Sequence, residues 1–162
     1  MVAVVSWPTP VSEPVTQPFK RAVIALTGAT VDERVVRLAC EIARPTKAEL
    51  VGVHVVEIDW SLPLDAEIAS RSEDAQRILD LAEGVAEDAH VRFETVLLQA
   101  RDVGAALVDE TSERGADLLI LGLPYRQRFG GEFAIGRTIP YVLRNAPCAV
   151  WVVREPIAEG ES

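Results

Sequence analysis

The chain predicts a doubly wound α/β domain: one five-stranded parallel sheet with helices on both faces. Three observations carry this. Five short, continuous apolar runs recur along the 162 residues, the signature of strands buried on both faces. Between successive runs lies a segment with helical spacing or helix-capping residues, so the order reads β-α-β-α-β-α-β-α-β. That alternation dictates right-handed crossovers and a sheet covered on both sides. Turn residues follow the strands at the edge where such sheets bind ligands, the carboxyl ends near the reversal of strand order.

The elements follow in order. Ala22–Leu26 (AVIAL) is a central strand ending at Thr27-Gly28. Thr30-Val31-Asp32-Glu33 matches a capping box, and Val35, Leu38, Ala39 and Ile42 share the inner face of the helix that Pro45 stops. Leu50–Val56 (LVGVHVV) is the second strand, where Gly52 points to close approach by a neighbour. A long helix spans about Asp65–Ala89 with Ile78, Leu81, Ala82 and Val85 as its stripe. Val91–Leu98 is the third strand. Asp102 caps the third helix, Ala106, Leu107 and Val108 face inward, and Gly115 ends it in a left-handed cap. Leu118–Leu121 is the fourth strand. A fourth helix starts near Gly136-Arg137-Thr138 and runs to about Asn145, with Pro140 in its first turn; Cys148–Val153 (CAVWVV) is the last strand. No internal repeat or second domain is evident. Residues 1–19, with four prolines, are expected to form an extended arm, 20–155 the domain, and 156–162 a frayed tail.

Composition excludes several classes. A formal net charge of −9 argues against a nucleic-acid or anionic-membrane binder, since both need a basic face. No apolar run reaches the roughly 20 residues of a membrane helix, and the arm has no early basic cluster to make a signal peptide. Cys40 and Cys148, the only cysteines, sit in apolar runs and are expected as buried free thiols in a reducing cytoplasm.

Against this acidic background the loop after the fourth strand is basic: Arg126, Arg128 and Arg137 against Glu132. Buried strand, Gly- and Arg-rich loop and helix N-terminus together suit an anion, because backbone amides and a positive helix end converge there. Gly130, Gly131 and Gly136 let the backbone approach a ligand, and Thr138 offers a hydroxyl. The plain alternative is a solvated loop. No Walker A loop and no dinucleotide fingerprint is present. His54 and His90 lack companions at metal-ligand spacing, and the serines lack a nucleophile elbow. Trp60 could stack on a base or simply lid the core. If the last strand is an edge, Val150, Trp151 and Val152 form an apolar border that a second subunit would cover.

KRAVIAL in the first strand, AELVGVHVVE in the second, RGADLLILG into the fourth and GRTIPYVLRNAPCAVWVVR at the end share a pattern. Together, over Lys20–Glu155, these segments resemble the universal stress protein family. Nucleotide-binding members carry an Asp at the end of the first strand, then G-x-x-G, a loop and G-[ST]. Gly122 matches the first glycine, Gly136 the last, and Val55 the residue whose backbone faces the adenosine. Thr27 replaces the Asp, Tyr125 the second glycine and Arg137 the small hydroxyl residue. The loop is one residue longer, which lets Thr138 supply the displaced hydroxyl.

The resemblance implies a cytoplasmic regulator that binds ATP or another adenine nucleotide, with magnesium able to accompany it. Leu121, Gly122, Gly130, Gly131, Gly136, Arg137 and Thr138 would cradle phosphate, Arg126 and Arg128 would close over it, and Thr27 and Val55 would flank the base. It further implies a homodimer through Cys148–Val153. No general base or metal-binding carboxylate pair stands beside the loop, so catalysis is not expected. The alternative is a nucleotide-free dimeric module of the same fold, acting on a protein partner or the cytoplasmic part of a transporter. An adenylating enzyme is a third class, opposed by the lack of a pyrophosphate loop after the first strand.

Overall fold

The structure, a computed structural model, describes residues 17–65, 69–125 and 134–157. Its five strands are β1 (Arg21–Leu26), β2 (Glu49–Glu57), β3 (Phe93–Ala100), β4 (Leu118–Leu123) and β5 (Ala149–Arg154). They form one sheet in the order β3-β2-β1-β4-β5, with every pairing parallel. The helices are α1 (Val31–Ala43), α2 (Ala69–Asp88), α3 (Val103–Glu113) and α4 (Thr138–Asn145). The predicted fold class is what forms.

Side chains alternate across the central strand and feed two cores. Ala22, Ile24 and Leu26 pack with α1 and α2, while Val23 and Ala25 pack with residues of α3 and α4. Strand β1 is thus apolar at every inner position because it is covered on both faces. The edge strands read differently: β3 alternates between partly buried and exposed residues, as a strand with one free border allows.

Several local expectations change. Thr30 does not cap α1: its backbone is already helical and its hydroxyl donates to Glu155 at 2.8 Å. Glu33 pairs with Arg37 one turn on, so no capping box forms. Leu38 is 41% exposed, and Val36 and Cys40 take the inner face of α1 instead. In α2 Leu81 is likewise turned out, and Ala75, Leu79, Ala82 and Ala86 are buried. The expected stripes otherwise hold, with Val35, Ala39 and Ala82 buried and Ile42, Ile78 and Val85 packed against the same core; one leucine in each helix, Leu38 and Leu81, faces out. Trp60 neither lids the core nor lines a ligand cleft; it is 81% exposed, with Arg101 4.9 Å from its ring centre.

Other expectations hold. Asp102 accepts from the Ala105 amide at 2.8 Å, and Gly115 follows α3 at a φ of 60°. A methyl at Gly52 would lie 2.6 Å from the Phe93 ring, so the glycine does mark close approach. Cys40 is buried and Cys148 partly so, both free; burial pushes each thiol up from its ordinary value. Strand β5 is an edge, with Trp151 edge-on to Phe19 at 5.8 Å and Val152 38% exposed. At the amino edge of the sheet Asp117 ties β4 to β1. Its carboxylate accepts from the Lys20 and Arg21 amides, each at 2.9 Å. Burial works to raise that carboxyl, but the amides of Arg21 and Lys20 outweigh it and hold it below the ordinary aspartate value.

Candidate functional site

Strand order reverses between β1 and β4: the chain leaves β1 toward β2 on one side and returns from β3 to β4 on the other. A parallel sheet opens a crevice at that point, outside the carboxyl ends of its strands. Here the crevice is a cleft of about 620 Å³, within the range of small-molecule sites. Its walls are Ala25, Val53, Val55, Leu121 and Leu123 from the sheet, with Val103 and Leu107 from α3 and Ile139 from α4. Around this apolar body lie Thr27, Glu57, Gly136 and Thr138.

Of the residues expected at the site, Thr27, Val55, Leu121, Gly122, Gly136 and Thr138 line this one cleft. Arg126, Arg128, Gly130 and Gly131 lie outside the described residues, as do the arm over residues 1–16 and the last residues of the tail. Each of the others has a definite environment.

Thr27 ends β1, and its turn is filled from within. The Asp32 carboxylate, delivered by the first turn of α1, accepts from the Thr27 amide and hydroxyl, both at 2.9 Å, and from the Gly28 amide at 2.7 Å. The Thr27 oxygen in turn accepts from the Ala29 amide at 3.1 Å. Thr27 has therefore already spent its one hydroxyl proton. Asp32 was overlooked at the sequence level because it sits inside a helix start, where an acid needs no further reason.

Gly122 serves packing more than the ligand. A methyl there would fall 2.9 Å from Val31 and 3.2 Å from Val35, so the missing side chain is what lets α1 lie on β4. Gly136 is different: its φ is 76°, and nothing stands within 4 Å of an added methyl. Its role is to turn the chain in the left-handed region so that α4 begins pointing at the cleft.

Tyr125 does not obstruct the cleft. Its amide donates to Glu155 at 3.3 Å, and its ring lies under Arg154 at 5.4 Å, on the side where β5 and α1 meet. Arg137 is the residue before α4, 77% exposed at its side chain, and its guanidinium donates to the Glu57 carboxylate at the end of β2. The side chain of Arg137 makes no capping hydrogen bond to the start of α4. Glu57 is the second contributor that sequence reasoning missed. The signal available was its position: the last residue of a strand at the ligand edge. His54, on the same strand, donates from Nδ1 to the Leu26 carbonyl at 2.7 Å, a sheet contact in keeping with a structural histidine. Among the described residues no cluster of three His, Cys, Asp or Glu side chains could hold a metal ion. No helix among them is long and apolar enough to cross a membrane.

Fold and cleft together define an α/β domain of the doubly wound class with a cleft at the carboxyl end of its sheet. The family can be stated as well. The model of the Universal stress protein family matches residues 18–154, and the chain belongs to that family. A universal stress protein of Methanocaldococcus jannaschii is 26% identical over 147 residues, covering 87% of this chain and 85% of that one. The universal stress protein of Archaeoglobus fulgidus, solved in complex with dAMP, superposes with a TM-score of 0.66 at 20% identity, over 86% of this chain and 99% of that one. A family member from Arabidopsis thaliana, solved with AMP bound, gives 0.62 at 14% identity, over 88% and 97%. At these identities the two structural likenesses show the fold.

Proposed function

We propose that this chain binds an adenine nucleotide in the cleft between β1 and β4 and acts as a cytoplasmic regulator, without turning the ligand over. The carrying observation is the cleft itself: an apolar slot walled by Val53, Val55, Leu121, Leu123, Leu107 and Ile139, with the start of α4, which the side chain of Arg137 does not cap, at its rim. A slot of that kind suits a purine, and a helix N-terminus suits its phosphate. Family members of the same fold solved with dAMP and AMP support the choice of adenine. Thr27 and Val55 flank the base in this reading. Leu121, Gly122, Gly136 and Thr138 border the phosphate side, with Arg137 in reach from the helix start. ATP is one form of the ligand, and magnesium would then come with its phosphates, since the described residues gather no metal-binding cluster.

Isothermal titration of freshly purified protein with AMP, ADP and ATP tests the proposal. Saturable binding that a bulky substitution at Val55 abolishes supports it; heat-free titrations with all three nucleotides overturn it.

A second reading keeps the fold and dispenses with the nucleotide. It is favoured by one observation: two polar residues expected at the ligand, Thr27 and Arg137, are already paired with carboxylates of this chain, Asp32 and Glu57. The protein would then be a dimeric interaction module working on a protein partner or transporter. In both readings the dimer forms through β5, which carries Val150, Trp151 and Val152 and has no further strand beside it among the described residues. Light scattering checks this, and a Val152→Lys variant should be monomeric.

A further inference from the structure

The Arg137–Glu57 ion pair joins the start of α4 to the end of β2. Arg137 stands immediately before α4, in the chain that follows β4; Glu57 closes β2, on the far side of β1. The neighbours of Arg137 on both sides, Gly136 and Thr138, line the cleft, and so does Glu57. The pair therefore crosses the mouth of the cleft at the helix end where an anion would sit. Both partners are solvent-accessible, at 77% and 45%, so the pair is one that opens at little cost. Glu57 is itself held in place at its backbone, where its carbonyl accepts from Arg71 at 2.9 Å. Its carboxylate is thus presented from a fixed strand end, while Arg137 reaches over from the helix start.

We propose that Glu57 is an internal surrogate for phosphate: it occupies Arg137 in the empty protein, and a nucleotide must displace it to bind. This rests on the nucleotide reading of the cleft and adds the residue that sets how much the phosphate contributes. Carboxylate and phosphate compete for the same guanidinium, and a phosphate monoester brings a charge of about −1.5 to −2 against the single charge of the carboxylate. Binding then exchanges Arg137–Glu57 for Arg137–phosphate and leaves Glu57 facing water. Two consequences follow from that exchange. The advantage of AMP over adenosine is smaller than an unopposed arginine would confer. Neutralising Glu57 restores it, by freeing Arg137 and by removing the repulsion between carboxylate and phosphate.

The test is calorimetric titration of the wild type, Glu57→Gln, Arg137→Gln and the double variant with AMP and with adenosine, at low ionic strength. The expected result is that Glu57→Gln tightens AMP binding on the order of three- to tenfold and leaves adenosine unchanged. Arg137→Gln should weaken AMP toward adenosine and abolish the gain in the double variant. A wild type that binds AMP while Glu57→Gln binds it no better overturns the surrogate role and leaves the nucleotide reading standing. Equal shifts for AMP and adenosine do the same. A wild type that binds neither ligand overturns both. Thermal melts confirm that each variant is folded, which the exposure of both side chains favours.

Discussion

Asp32 and Thr27 form a closed unit: one carboxylate accepts both the amide and the hydroxyl of the threonine at 2.9 Å and the next amide, Gly28, at 2.7 Å. The turn that carries the chain from β1 to α1 is thereby held from inside. Backbone donors that would otherwise need water or a ligand are satisfied by a side chain five residues on.

Replacing Asp32 by alanine strips that turn of its acceptor. The expected loss is about 1–2 kcal/mol of folding free energy, the scale of a lost helix-start carboxylate with several amide partners. Chemical denaturation should show a lower midpoint with unchanged slope, and Asp32→Asn should fall between.

Gly122→Ala should destabilise the fold by about 1–3 kcal/mol, since the new methyl meets Val31 and Val35 in a packed core. Its effect on nucleotide affinity should be small, because the clash faces α1. A variant that keeps full stability would show that α1 can shift outward at no cost.

Gly136→Ala should behave in the opposite way. The added methyl has room, yet the φ of 76° strains any other residue, at about 1 kcal/mol. The strain falls on the entry to α4, so AMP affinity should drop even where the melting temperature changes little. Paired titration and melting of the two glycine variants separates the packing role from the orienting role.

Acid sensitivity should report on Asp117. Its carboxyl is held below the ordinary aspartate value by amides that bind only the charged form well. A depressed folded-state value means that the carboxylate contributes stability above the unfolded value, near pH 3.9, and loses it as pH falls through the folded one. Asp117→Asn should therefore be less stable than the wild type at neutral pH. The gap should close at the acid end, as measured by urea midpoints across that range.

Much of the fold was legible because its signals are local. Apolar runs such as AVIAL and LLILGL can be strands only when both faces are covered, and Asp102 and Gly115 announce the ends of α3 by their own chemistry. The outward turn of Leu38 in α1 and of Leu81 in α2 was not legible. Val36 against Leu38, and Leu79 against Leu81, are equally apolar, and only the sheet beneath decides which turns inward. For the site, the resemblance pointed to Thr27, Val55, Gly122 and Gly136, which do converge on one cleft. It could not reveal what those residues already hold.

Apolar periodicity and crossover handedness already dictate the order of elements, the parallel sheet and the edge at which a ligand would enter, because they leave few other solutions. The tertiary structure alone decided the pairings across that edge: Asp32 on Thr27, Glu57 on Arg137 and Arg154 over Tyr125. Two of these join residues 29 and 80 positions apart, brought together only when the strands take the order β2-β1-β4-β5. Charge partners at such separations leave no pattern along the chain, since any of its acids could in principle meet any arginine until the strand order is known.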